Sequence, residues 1–296
     1  MENLRAFEYK FKPKDIPVFT RECLANIIRA IKGQKPEITL SLSLGRDFEK
    51  IEIKKGKAII RDTSIPLEYL KEILRKTKDT DIVGLEEGGL FKIAFFRDRK
   101  FYKLRSVGPN IAPTLEINGI HMHRISSITP WEDSRTKVKM LKIRRGFRVL
   151  DICTGLGYTA INEVKMGARE VLSIEADPNV LEIAAYNPWS RELSDERIKI
   201  LLGDAVQVVQ DLPSEYFDRI MHDPPRFSLS PALYSREFYK ELYRVLKRRG
   251  IMVHYTGAPG SRIRGIDLAR SVIRKLKEVG FSARRVEEIQ GVIAMK

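Results

Sequence analysis

The sequence is poor in cysteine and lacks long apolar runs, repeats and low-complexity stretches. Its two cysteines, Cys23 and Cys153, allow one disulfide at most. A disulfide-dependent secreted scaffold is therefore excluded, and two free thiols are expected. Since no run of about 18 uncharged apolar residues occurs, we expect no membrane span. The N-terminal residues also lack the apolar core of a signal peptide, so the expected location is cytoplasmic.

Acidic residues are the minority among the charged ones. The 296-residue chain holds 54 Lys and Arg against 39 Asp and Glu, which gives a net charge of +15. Such an excess attracts polyanions through long-range potential and counterion release, so it favours a nucleic-acid partner. The alternative is a solvated, ion-pair-rich surface of the kind that heat-adapted proteins carry.

Residues 1–125 predict a small mixed α+β domain. Apolar residues at helical and alternating spacing define its elements. The predicted elements are helices at 16–32 and 65–74, strands at 38–44, 51–53 and 115–121, and a hairpin of residues 91–96 and 101–107. The polar segment 127–139 is expected to link this domain to a second one at 126–296.

The second domain predicts an α/β fold with a mostly parallel seven-stranded sheet. From Arg148 onward, apolar strands alternate with helices, which is typical of a parallel sheet covered on both faces. The last two strands are close together and predict a C-terminal antiparallel hairpin. The predicted strands lie at 147–152, 170–175, 198–202, 217–222, 250–256, 281–288 and 291–295.

A glycine-rich turn follows the first strand of this domain. Asp151 ends the strand, Gly155 and Gly157 lie in the turn, and Glu175 ends the next strand. Ligands bind open α/β sheets at this edge, where a carboxylate can accept hydrogen bonds from ribose hydroxyls. The spacing also matches the dinucleotide fingerprint of oxidoreductases, which is a weak motif alone. Asp151 argues against that alternative, because dehydrogenases usually keep an apolar residue there.

The run Asp151-Ile-Cys153-Thr-Gly155-Leu-Gly157 resembles the first motif of the class I methyltransferases, with Cys153 replacing the first glycine. The resemblance covers about residues 130–296 and implies a Rossmann-like fold with S-adenosylmethionine as cofactor. It implies that the loop holds the methionine part, Glu175 the ribose, and Asp204 the adenine amino group. Asp204 could also be a helix N-cap, and both roles can hold together. The implied cofactor-binding residues are Asp151, Cys153, Gly155, Gly157, Glu175, Asp204 and Ala205, with no metal ligand.

The segment Asp223-Pro224-Pro225-Arg226 follows the fourth strand. It resembles the Asp/Asn/Ser-Pro-Pro-aromatic motif of methyltransferases that modify exocyclic amino groups of bases. The resemblance implies that the Asp223 carboxylate and the Pro224 carbonyl accept the two amine hydrogens and orient the lone pair. Prolines hold such a carbonyl rigidly. Because Arg226 replaces the aromatic residue, base stacking is expected from Arg226, Phe227 or Trp189. His222, just before the motif, is a further candidate for substrate contact.

These resemblances imply an S-adenosylmethionine-dependent methyltransferase that acts on an exocyclic base amine in RNA. The overall sequence resembles an archaeal branch with an Asp-Pro-Pro-Arg motif, which implies N4 of cytidine in ribosomal RNA as the target. Two alternatives stay open. Residues 233–250 and 115–119 resemble spermidine synthases, which transfer aminopropyl from decarboxylated S-adenosylmethionine. The charge of +15 argues against the acidic acceptor pocket that those enzymes need. Methylation of an amine outside nucleic acid is the other alternative.

Overall fold

The computed structural model describes residues 2–257 and 267–296. The chain forms two compact units. The sheet unit comprises Met1–Phe11, Trp131–Leu181 and Glu192–Lys296, and the β-rich unit comprises Lys12–Pro130 and Glu182–Arg191. The predicted division at residues 125 and 126 stays a prediction. No helix in the described residues is both long and apolar enough to span a membrane.

The β-rich unit contains more strand than the sequence predicted. The predicted helix at 16–32 begins only at Arg21, because residues 18–20 pair with a strand and the Thr20 hydroxyl caps the helix by accepting from Cys23 N at 3.3 Å. Three antiparallel sheets result, with orders β2-β7-β8, β3-β4-β5-β6 and β9-β10-β11-β12. After a 3-10 helix at Glu2–Phe7 and β1 (Glu8–Tyr9), the elements are β2 (Val18–Thr20), α1 (Arg21–Lys32), β3 (Glu37–Leu40), β4 (Glu49–Lys54), β5 (Lys57–Ile60), β6 (Thr63–Pro66), α2 (Leu67–Lys76), β7 (Ile82–Glu86), β8 (Gly89–Lys92), β9 (Ala94–Arg97), β10 (Lys100–Arg105), β11 (Thr114–Ile117) and β12 (Ile120–His121).

Strands and helices then alternate through the rest of the chain. These elements are α3 (Pro130–Met140), β13 (Arg148–Ile152), α4 (Tyr158–Lys165), β14 (Glu170–Glu175), α5 (Pro178–Ala185), β15 (Ile198–Leu202), α6 (Ala205–Val208), β16 (Phe217–His222), α7 (Arg236–Val245), β17 (Leu246–Tyr255), α8 (Leu268–Val279), β18 (Ser282–Val286) and β19 (Gly291–Met295). Short 3-10 helices lie at Pro188–Ser194, Val209–Asp211 and Pro231–Tyr234. The segment predicted as a polar linker, 127–139, is therefore largely helical.

The large sheet has eight strands in the order β1-β15-β14-β13-β16-β17-β19-β18. Neighbouring strands from β15 through β17 are parallel, and β19 runs antiparallel to both β17 and β18. The predicted Rossmann-like sheet and C-terminal hairpin are confirmed, but the count of seven is wrong. The eighth strand is β1, which pairs with the edge of β15 through Glu8 and Tyr9.

This strand order positions the site. Because β13, β14 and β16 are parallel neighbours, their carboxyl ends meet at one edge of the sheet. The connection from β13 leads to β14 on one side, and β16 lies on the other side, so this is the switch point at which open α/β sheets bind ligands. A core of buried side chains beneath it, including Leu150, Ile220 and Leu242, makes the edge a rigid platform.

Candidate active site

The turn after β13 is a tight loop of left-handed residues. Cys153, Gly155 and Gly157 have φ angles of +74°, +55° and +76°, and Gly157 N donates to Thr154 O at 2.7 Å. Glycine accepts such angles freely, whereas Cys153 adopts its own at a steric cost. A Cβ on Gly155 would meet nothing nearer than 4.0 Å, but one on Gly157 would lie 2.3 Å from Leu193 Cδ2. Open space for a ligand therefore lies at Gly155, while Gly157 makes room for Leu193.

Glu175, the last residue of β14, is held beside this loop. Its Oε2 accepts from Gly155 N at 2.9 Å, and its Oε1 accepts from the backbone N–H groups of Ala176 and Asp177 at 3.0 Å. Burial raises the pKa of Glu175, and the hydrogen bond from Gly155 opposes that rise. Carboxylate oxygens have about four lone-pair sites in total, so this geometry still allows Glu175 to accept from ribose hydroxyls.

Asp151 supports the loop from inside the sheet. It is 0% exposed, and its Oδ2 accepts from Ser173 Oγ at 2.6 Å. The Ser173 hydroxyl also lies 2.6 Å from Thr154 Oγ1, which links β14 to the loop. Burial raises the pKa of Asp151 to about 7. Asp151 therefore contacts the loop indirectly, through the hydroxyls of Ser173 and Thr154.

Asp204 follows β15 and is the N-cap of α6. Its exposed carboxylate accepts from Val206 N at 2.8 Å, so the N-cap interpretation is confirmed. The adjacent Ala205 is buried at the first position of the helix. A capping carboxylate keeps further lone pairs, and the adenine role therefore stays a compatible prediction.

Asp223 emerges directly from β16 and contacts a buried lysine. Its Oδ2 accepts from Lys137 Nζ at 2.9 Å, and the same ammonium lies 2.9 Å from Asp133 Oδ2. The Lys137 side chain is 2% exposed, and its Nζ lies 4.1 Å from the Tyr255 ring centroid. Sequence reasoning missed Asp133 and Lys137, because both lie in the segment predicted to be a linker. The signal that could have found them is the i, i+4 acid–base spacing.

A buried tyrosine donates a hydrogen bond to the second of the two prolines. Tyr234 is 2% exposed, and its hydroxyl donates to the Pro225 carbonyl at 2.8 Å. Phe227 packs edge-on against the Tyr234 ring with centroids 5.4 Å apart and is 44% exposed. Arg226 is exposed, and its carbonyl accepts from Leu229 N at 2.8 Å. The segment is therefore held by a hydrogen bond at Pro225 and exposed to solvent at Arg226 and Phe227.

His222 and Trp189 are the other two predicted substrate contacts. His222 is 0% exposed, its Nε2 lies 3.0 Å from Leu233 O, and its ring centroid is 4.2 Å from that of His254. Burial lowers the pKa of His222 to about 4, so it is a neutral packing residue. Trp189 belongs to the β-rich unit, where its Nε1 donates to Leu44 O at 2.9 Å. The substrate contact of Trp189 stays a prediction.

The edge of the sheet is acidic although the chain is basic. Four carboxylates stand at or just beyond the ends of the neighbouring parallel strands β13, β14, β15 and β16: Asp151, Glu175, Asp204 and Asp223. Burial raises the pKa of the Cys153 thiol, and these carboxylates raise it further. Many basic side chains are neutralised elsewhere, as in the pair of Lys247 and Asp218 at 2.7 Å. The net charge of +15 is therefore a poor guide to the charge of this site.

Known proteins resemble the chain in sequence and in fold. The spermine/spermidine synthase domain model matches residues 136–286. An uncharacterised protein of Methanocaldococcus jannaschii is 45% identical over 271 residues, with 90% of this chain and 92% of that protein covered. A polyamine aminopropyltransferase of the same organism is 30% identical over 136 residues, with 45% of each chain covered. The match thus spans less than half the length of that enzyme.

Solved structures agree on the fold. A spermidine synthase in complex with the transition state analogue AdoDATO has a TM-score of 0.56 at 20% identity, with 72% of this chain and 76% of that chain covered. Spermidine synthase from Thermotoga maritima has a TM-score of 0.53 at 20% identity, with 72% and 74% covered. At this identity the likeness shows the fold alone.

These findings contradict the predicted RNA methyltransferase, its ribosomal RNA target and RNA as a partner. The error has a physical cause. Methyl and aminopropyl transfer both use an adenosyl sulfonium, so a glycine loop with a ribose-binding carboxylate does not report which group leaves the sulfur. The domain model covers more than half of the sequence, including β13 through β18. The chain belongs to the spermine/spermidine synthase domain family.

Proposed function

We propose that this chain is an aminopropyltransferase that moves the aminopropyl group of decarboxylated S-adenosylmethionine to an amine. The observation that carries the proposal is the acidic edge, where Glu175, Asp204 and Asp223 stand at or just beyond the ends of parallel strands of one sheet. The donor has a sulfonium and a primary ammonium but no carboxylate, and its acceptor is an amine. Both are attracted by clustered carboxylates in a partly buried site, where charges are weakly screened.

The donor would lie across the loop after β13. Glu175 would accept hydrogen bonds from the ribose hydroxyls, because its carboxylate is already oriented by Gly155 N at 2.9 Å. Asp204 would accept from the adenine amino group. The open space beside Gly155 would admit the sulfur-bearing chain, since a Cβ placed there meets no atom nearer than 4.0 Å. This arrangement would direct the propyl carbon toward the end of β16.

Asp223 would receive the acceptor at that point. Its carboxylate accepts a hydrogen from the amine and aims the lone pair at the propyl carbon that is bonded to sulfur. The amine nitrogen forms the new C–N bond while the C–S bond breaks, and sulfur leaves with the electron pair as a neutral thioether. The acceptor arrives as an ammonium and loses one proton to solvent before the attack, and the product is left as a secondary ammonium. Because Tyr234 fixes the Pro225 carbonyl at 2.8 Å, the segment is pre-organised, and the acceleration comes from positioning and electrostatics.

The test is a donor and acceptor panel. The full chain is incubated with decarboxylated S-adenosylmethionine and a series of linear diamines and longer polyamines. We expect one or more acceptors to gain an aminopropyl group by mass spectrometry, with equimolar release of the adenosyl thioether. The matched control is Asp223→Ala, and the donor control is S-adenosylmethionine. The proposal fails if the donor binds by calorimetry but no amine in the panel is modified.

A further inference from the structure

A buried ammonium, that of Lys137, lies beside Asp223, the carboxylate proposed to bind an amine. The Lys137 side chain is 2% exposed, and that of Asp133 is 1% exposed, so both charges lie in the interior of the sheet unit. Buried charges are costly unless they are paired and hydrogen-bonded. Here the ammonium lies 2.9 Å from both Asp133 and Asp223, so the three groups form one buried chain of charges.

We propose that Lys137 is a positioning residue that holds the Asp223 carboxylate ionised and in one orientation for the incoming amine. Asp133 is the second counter-ion, which allows a lysine to stay buried beside Asp223. The role deepens the proposed function and rests on it, because only there does Asp223 receive an amine.

The geometry indicates that Lys137 acts through Asp223 and not on the substrate. An ammonium has three donor hydrogens. Two of the contacts of Nζ are the carboxylates of Asp133 and Asp223, and the Tyr255 ring covers it at 4.1 Å. The ammonium is therefore fully engaged by the protein. It fixes Oδ2 of Asp223 and leaves the other oxygen for a ligand.

The net charge of Asp133, Lys137 and Asp223 explains why the second carboxylate is needed. Lys137 alone would cancel the charge of Asp223 and remove its attraction for an ammonium. With Asp133 the three groups carry a net charge of −1, so the chain of charges still attracts one cation. A lysine paired in this way orients a catalytic carboxylate without neutralising the site.

Several other groups act on Asp223. Burial raises its pKa, Lys137 lowers it, and Asp133 raises it. Asp151 and the Cys153 thiol interact with it from the β13 side, and the Tyr234 hydroxyl does so from the 3-10 helix after β16. Lys137 is the cation among these groups. Without it, burial and Asp133 would raise the pKa of Asp223 unopposed, and a protonated carboxyl would donate to the amine lone pair instead of accepting from the amine N–H.

Kinetics of Lys137→Met in the full chain test the role. We expect turnover to fall by about 10²-fold, the scale for a lost electrostatic contact at a reacting centre. Donor affinity should change by less than about threefold, since Glu175 and Asp204 are untouched. The acid limb of the kcat/KM profile should move up by about one pH unit or more, because the pKa of Asp223 rises. Lys137→Arg should restore part of the turnover and the original limb.

A carboxyl titration without any donor separates this role from the proposed function. Carbon-13 NMR of aspartate-labelled resting protein, with Asp223 assigned from Asp223→Asn, reports its midpoint directly. The midpoint should rise in Lys137→Met and fall in Asp133→Asn, which keeps the lysine and removes the charge that opposes it. These opposite shifts are expected even if the reaction is not aminopropyl transfer.

The role is overturned if folded Lys137→Met keeps the wild-type midpoint and the wild-type acid limb. If that variant does not fold, Asp133→Asn decides alone, because an unchanged or raised Asp223 midpoint in it contradicts the proposal. Suppose instead that the melting temperature and the donor affinity both fall while the Asp223 midpoint and the acid limb of kcat/KM stay unchanged. That result would show that the lysine serves only the packing of α3.

Discussion

A buried carboxyl with no partner, Glu163, is predicted to lower the stability of the protein at neutral pH. It is 0% exposed in α4, and neither of its carboxyl oxygens has a hydrogen-bond partner among the described residues. Burial raises the pKa of Glu163 well above its ordinary value, and the negative charge of Asp151 raises it further. The folded protein therefore holds Glu163 protonated. Glu163→Met would remove the polar atoms without leaving a large cavity, since Met is unbranched and of similar length.

The expected gain follows from that environment. An unsatisfied buried polar group costs about 1–3 kcal/mol, so Glu163→Met should raise the free energy of unfolding by about that amount near pH 8. This sign is unusual, because most substitutions destabilise. The unfolded chain releases the Glu163 proton near pH 4.3 while the folded state keeps it, so wild-type stability falls as pH rises above that value. The gain should therefore be larger near pH 8 than near pH 5.

Urea unfolding at both pH values measures this difference. The matched control is Glu163→Gln, which cannot titrate but keeps a buried amide. We expect Glu163→Gln to lose the pH dependence and to gain less stability than Glu163→Met. The reasoning is refuted if Glu163→Met is less stable than wild type near pH 8 by about 1 kcal/mol or more, or if it keeps the wild-type pH dependence.

Four further variants, at three positions, test the site and its loop. Asp223→Ala should lower turnover by about 10²–10⁴-fold with little change in donor affinity by calorimetry, and Asp223→Asn should lose less, because its amide oxygen still accepts. Glu175→Gln should weaken donor binding by about tenfold, the scale of a hydrogen bond to a charged group, and an unchanged affinity would remove Glu175 from the donor site. Gly157→Val should lower the free energy of unfolding by about 1–3 kcal/mol by overlapping Leu193, and wild-type stability would contradict the packing role.

The parallel strands and their functional edge could be predicted from the sequence, because buried strands are short apolar runs that end in turns. Asp151, Gly155 and Glu175 stand at those ends, and the sheet brings their loops together. Strand β1 could not be predicted in the same way. Its two residues, Glu8 and Tyr9, carry no pattern of their own, and their pairing depends on the exposed edge of β15.

Helix α3 was missed because its buried face is mostly polar. Asp133, Ser134 and Lys137 are each buried to within 1% of full burial, so the helix shows no apolar periodicity. Their burial becomes explicable only once Asp223 is placed opposite them by the fold. The same limit explains the wrong RNA partner, since composition averages over a surface and does not report the acidity of one crevice.

A double-label experiment tests the central claim most directly. Decarboxylated S-adenosylmethionine is prepared with one isotope in its S-methyl group and another in its propyl chain, and the full chain is given this donor with an accepted diamine. Aminopropyl transfer predicts that the propyl label arrives on the amine and that the methyl label stays with the adenosyl thioether. Arrival of the methyl label on the acceptor, with the propyl chain retained on sulfur, would contradict the account.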